Sequence, residues 1–170
     1  MEDKEHTMKD KNINDETDAR SLKEWTDYPL RLFLRPHHGM CLAYFVGEGY
    51  SDTFSLHMQH VLDKLQEGAE VVLILEPDEI CSACPNRKGK NNKAFCTQEK
   101  KVSYYDRAVL SKLGRKENEV ILFSAFAKEV ERTILAPGHR VEICGNCKWN
   151  ELCQRVPSRF SIQDKKKEME

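Results

Sequence analysis

Apolar positions divide the chain into short blocks. Leu30-Arg31-Leu32-Phe33-Leu34 alternates and predicts a strand over 30–34. Pro36 breaks that strand and suits the first turn of a helix, expected over His37 to Phe45 and ended by Gly47-Glu48-Gly49. Ser51 is placed to cap a second helix, along which Phe54, Met58, Val61, Leu62 and Leu65 recur at helical spacing until Gly68 closes it. Val71 to Leu75 is aliphatic and β-branched, the mark of a buried strand. Residues 86–95 read as a polar loop rich in Lys and Asn. From Gln98 to Leu113 the apolar positions Val102, Tyr105, Val109 and Leu113 lie on or near one helical face, with Gly114 as the stop. Val120 to Phe123 is a third short strand, and Ser124 is expected to cap a helix running to about Leu135, before Pro137 and Gly138. A last helix ends at Pro157. The expected fold is a small α+β domain, mostly helical, with about four or five helices and three short strands around a Cys-ligated metal centre. Its first two strands are separated by two helices, which permits a parallel pairing.

The ends of the chain lack this patterning. Residues 1–28 are dominated by Lys, Asp, Glu and Asn and are expected to be a disordered tail, with at most a marginal helix over Ala19 to Trp25. Residues 29–160 form the one expected domain, and 161–170 a charged tail. Apolar residues make up 39 % of the chain and charged residues 32 %, so the core is modest. A metal centre would compensate, because ligand binding adds folding free energy directly. The net charge of −1 gives no global pull towards nucleic acid or membrane, and no partner of either kind is expected. Without a secretory signal or a long apolar run, the chain reads as cytoplasmic.

Cysteine changes this picture most. Cys144, Cys147 and Cys153 are spaced C-x2-C-x5-C. In a reducing compartment so dense a thiol cluster points to metal rather than to disulfides. Cys81 and Cys84 make a second C-x2-C, followed by Cys96, and Cys41 stands alone upstream. Zinc usually takes two C-x2-C pairs about fifteen to twenty residues apart. Here the pairs are far more distant and each has its own third cysteine, a pattern that suits iron–sulfur clusters better. Cys84-Pro85 also echoes the Cys-Pro of ferredoxin-type sites. Gly145 would free the backbone between its two cysteines, and Trp149 would screen one side from water.

Other residues admit two readings each. His37 and His38 sit at the strand-to-helix junction, where they either tether it or supply a metal ligand beside Cys41. Seven cysteines and one histidine make eight ligands, enough for two closed four-ligand centres. Arg87, Lys88, Lys90 and Lys93 form a basic loop, which either meets phosphate or an acidic redox partner or, as read here, is simply solvated. Asp106 and Arg107 either serve as functional polar groups near the second triplet or, as expected here, pair on a helix surface. No glycine-rich phosphate loop, G-x-S-x-G or H-E-x-x-H occurs, so any chemistry belongs to the metal centre.

Taken together, Leu32-Phe33-Leu34-Arg35-Pro36-His37-His38 with Cys41, Gly47-Glu48-Gly49-Tyr50-Ser51, Ile80-Cys81-Ser82-Ala83-Cys84-Pro85, Tyr105-Asp106-Arg107-Ala108-Val109-Leu110, and Ile143-Cys144-Gly145-Asn146-Cys147-Lys148-Trp149 with Leu152-Cys153 resemble a family. It is a domain-of-unknown-function family of small bacterial and archaeal proteins described as predicted iron–sulfur binders. The resemblance runs from about Leu30 to Cys153. It implies cluster binding through the cysteines and implies no reaction.

The function expected is therefore an iron–sulfur protein for electron transfer or redox sensing, working with a redox partner protein. It would carry one or two clusters, of the four-iron four-sulfur type, held by Cys41, Cys81, Cys84, Cys96, Cys144, Cys147 and Cys153, with His37 or His38 as a candidate further ligand. The alternatives are an enzyme using an open-site cluster as a Lewis acid and a zinc-stabilised interaction module.

Overall fold

A computed structural model describes residues 29–161. The expected tails and the marginal helix over Ala19 to Trp25 lie outside the described residues. Among these residues a three-stranded sheet carries six α-helices. Strand β1 (Arg31–Leu34) pairs in parallel with β2 (Glu70–Leu73), and β2 pairs antiparallel with β5 (Val120–Leu122). Leu34, Val71 and Leu73 on the inner face are fully buried, whereas Phe33, Val120 and Leu122 face outwards and are about half exposed.

The crossover from β1 to β2 holds α1 (Pro36–Tyr44) and α2 (Asp52–Gln66). Pro36 opens α1 with its φ preset for a helix, behind an extended Arg35. The Ser51 hydroxyl accepts the Phe54 amide and caps α2, whose Phe54, Met58, Val61, Leu62 and Leu65 are buried as their spacing predicts. The segment read as a polar loop forms a two-stranded hairpin, β3 (Arg87–Lys88) with β4 (Phe95–Cys96). It follows a 3-10 turn over Ile80–Ala83. Helix α3 (Glu99–Leu113) stops at Gly114, which takes the left-handed conformation.

Three expectations need correction. Ser124 caps nothing: α4 (Phe123–Val130) already begins at Phe123, with Leu122 before it and no side-chain cap. A short strand running directly into a helix leaves no room for a separate capping residue. The helix count is one above the upper expectation: the helix expected to end at Pro157 is α6 (Asn150–Arg155), which carries Cys153, and a further short helix, α5 (Arg140–Cys144), ends on Cys144. At five residues α5 is too short to leave a clear apolar period in the sequence. Asp106 forms no surface pair with Arg107: its side chain is fully buried and bound elsewhere. In the core α1 packs on α3 and α4, with Met40, Leu42, Val109 and Phe126 fully or almost fully buried. Each such large side chain contributes about 1.5–3 kcal/mol on leaving water.

Candidate metal centre

The junction of β1 and α1 is where the site begins. Arg35 is extended and buried, so the next residues turn at once into the helix. His37 and His38 fall in its first turn with ring centroids 4.2 Å apart, and Cys41 follows one turn later. Two buried carboxylates receive this junction. On α3, Asp106 accepts the Arg35 Nε–H through Oδ2 at 2.7 Å. Its Oδ1 accepts the His37 amide at 3.0 Å and lies 2.6 Å from His37 Nδ1. Just before the 3-10 turn, Asp78 accepts the Arg35 amide at 2.6 Å and the Cys81 amide at 3.1 Å, and lies 2.6 Å from His38 Nδ1. An ionised carboxylate can only accept, so each ring carries its proton on Nδ1. In the neutral ring that leaves the lone pair on Nε2, and among the described residues neither Nε2 has a hydrogen-bond partner.

The charges in this network support one another. Burial alone would raise the Asp78 carboxyl, but His38 and the amides of Arg35 and Cys81 outweigh it and hold it well below the usual range. Asp106 is lowered in the same way, with burial opposed by His37 and Arg35. Burial would lower the Arg35 guanidinium, yet Glu99 and Asp106 raise it above its ordinary value. His37 is pushed down by burial and by the neighbouring His38. Asp106 opposes that push, and Arg35 adds a smaller one in the same direction as burial.

All seven cysteines are free thiols. Cys41, Cys144, Cys147 and Cys153 line one cavity of about 150 Å³. Burial pushes the Cys41 thiol well above its ordinary value, and nearness to the other three sulfurs adds to the effect. Burial likewise raises Cys144 and Cys153, against the opposing charge of Arg140. Cys81, Cys84 and Cys96 line a second cavity of about 460 Å³, together with His38. Burial and then Asp78 raise Cys81, and burial raises Cys84. Cys147 borders both cavities. The structure thus groups the lone Cys41 with the last triplet and leaves the middle triplet with a histidine beside it.

The surroundings donate to sulfur. The Trp149 amide points at Cys147 Sγ at 3.5 Å, the Gln98 amide at Cys96 Sγ at 3.3 Å, and Arg140 Nη1 at Cys144 Sγ at 3.7 Å. Trp149 packs edge-on against Tyr50, 5.5 Å between centroids, and walls the first cavity. From α3, the Tyr105 hydroxyl donates to the Asn146 side chain and Lys101 donates to the Asn146 carbonyl at 2.8 Å. These two bonds clamp the turn between Cys144 and Cys147. Burial and the cysteine sulfurs push the Tyr105 hydroxyl up to about 12.

Gly145 has an ordinary helical φ of −60°, so backbone freedom is not its role. A Cβ there would sit 2.5 Å from the Val141 carbonyl, and that close approach excludes a side chain. Arg35, Asp78, Arg140 and Asn146 were not singled out from sequence as parts of the site, and Asp106 was weighed as a functional group but read as half of a surface pair. The one available signal was Arg35 itself, a charge enclosed between Leu34 and Pro36 at a strand end.

Spacing distinguishes the two sets of possible ligands. His38, Asp78 and Cys81 place ligand atoms within 4.8 Å of one another, and among the described residues no three cysteine sulfurs do so. Tetrahedral zinc with Zn–S bonds of about 2.3 Å needs sulfurs about 3.8 Å apart.

The family described as protein of unknown function DUF1284 matches residues 49–153, and the chain belongs to it. The match takes in six of the seven cysteines, Cys81, Cys84, Cys96, Cys144, Cys147 and Cys153. It starts later than the resemblance read from sequence and leaves His37, His38 and Cys41 outside. Among the curated proteins and the solved structures no match was found.

Proposed function

We propose that this DUF1284 protein binds iron–sulfur clusters and works by electron transfer or redox sensing. The observation that carries the reading is the convergence of Cys41 with Cys144, Cys147 and Cys153 on one cavity. Cys81, Cys84 and Cys96 supply a second set. A bound cluster supplies one-electron chemistry at a potential set by its environment. Four thiolates close the first site, which suits electron transfer more than substrate binding. The raised thiols stay protonated without metal, so loading releases protons, and the cation then holds them as thiolates. N–H donors at Cys144, Cys147 and Cys96 stabilise anionic sulfur, and Trp149 with Tyr50 keeps water off one side.

A second reading, an enzyme with an open-site cluster, draws on the middle triplet, which supplies three cysteines only. Anaerobic purification followed by iron, sulfide and zinc analysis tests the main reading. The expected result is brown protein with acid-labile sulfide and broad absorbance near roughly 400 nm. Colourless protein that keeps stoichiometric zinc would overturn it.

A further inference from the structure

We infer that His38 is the fourth ligand of the middle cysteine set, binding through Nε2, with Asp78 as the positioning residue that aims its ring. The inference rests on the reading of Cys81, Cys84 and Cys96 as metal ligands. Four observations carry it. His38 lines the same cavity as those three sulfurs, as does His37. One of its ring nitrogens and the Cys81 sulfur belong to the trio of ligand atoms within 4.8 Å. Its Nδ1 is held by Asp78 at 2.6 Å, which leaves Nε2 as the free lone pair. A carboxylate on the far nitrogen of the ring is the usual outer support of a metal-bound histidine, because it fixes tautomer and orientation.

The neighbouring candidates fit less well. Asp78 belongs to the same trio, but it already accepts from two backbone amides and the His38 ring. Binding a metal would strip a buried carboxylate of donors that hold the turn. His37 is tied to Asp106 on α3, whereas Asp78 sits just ahead of the turn that carries Cys81 and Cys84. His38 and this turn are thus fixed as one unit.

The test uses full-length protein purified anaerobically from cells fed 15N-histidine. Reduced samples are read by pulsed EPR and by redox titration. In the parent a directly bound imidazole nitrogen should couple to one centre. His38→Cys should keep the iron and sulfide content, abolish that coupling and lower the potential of one centre only, since imidazole ligation raises potential. His37→Gln should retain the coupling. Asp78→Asn should alter it and weaken retention of that centre about 10–100-fold. Parent protein that holds two clusters without nitrogen coupling, or His38→Cys that retains the coupling, overturns the assignment and leaves the cluster reading intact. If the parent holds zinc without sulfide, the cluster reading falls. Loss of one zinc per chain in His38→Ala but not in His37→Gln then upholds the ligand assignment, and unchanged zinc overturns both. Parent protein without metal also overturns both.

Discussion

Arg35 ties three carboxylates into the site. Its amide meets Asp78, and its guanidinium meets Asp106 and Glu99 while only 1 % of the residue is exposed. Breaking a buried pair by removing one partner costs about 3–5 kcal/mol. Asp106→Asn should fall at the low end of that range, because Glu99 still faces the guanidinium. The same residue predicts a pH effect. The Asp106 carboxyl is lower in the folded state than in the unfolded chain, so the stability it contributes is present above the unfolded carboxylate value of about 4 and is lost as pH falls through the folded value. Urea midpoints from pH 7 to pH 3 should therefore fall more steeply in the parent than in Asp106→Asn; parallel profiles would rule this contribution out. The cysteines and histidines were legible from residue type and spacing. Their carboxylate partners were not, because an Asp 40 or 69 positions away in sequence carries no local mark of the ring it will hold.

Elements with a long apolar period were the easiest to read. Helices α2 and α3 and strands β1, β2 and β5 stand within a residue or two of their expected bounds, and the parallel pairing of β1 with β2 follows from the two-helix crossover between them. What escaped is short and built by tertiary contact: α5 and the β3–β4 hairpin are shorter than the window in which periodicity is visible. The pair α5 and α6 gives a test at this scale. Since a Cβ on Gly145 would meet a backbone carbonyl, which cannot rotate away as a side chain can, Gly145→Ala must shift the turn between Cys144 and Cys147. The expected cost is about 1–3 kcal/mol, typical of overpacking, together with weaker metal retention. A variant that melts and loads like the parent would show that the turn has slack.

At the scale of the molecule, the two cavities meet at Cys147 and share the α1 junction, so stability and metal binding should be one property. Cys147→Ser is predicted to destabilise the whole domain, whereas Lys90→Ser, on the exposed hairpin, should change stability by less than about 0.5 kcal/mol. Denaturant unfolding under anaerobic conditions with iron and sulfide supplied checks both. If Cys147→Ser melts like the parent without its cluster signal, the fold is self-sufficient and the centre merely sits on it. The position of Arg35 also bears on where this protein can be cut. Residues 49–153 mark the family's reach, but a fragment trimmed to them would lose β1, α1 and the arginine together. Asp78 and Asp106 would then face each other's side of an opened core with their main partners gone, Val71 and Leu73 would form a bare sheet edge, and three cysteines would wait for Cys41. Such a piece has the family's signature and lacks the means to fold around it: the recognisable stretch and the autonomous unit are different lengths of chain.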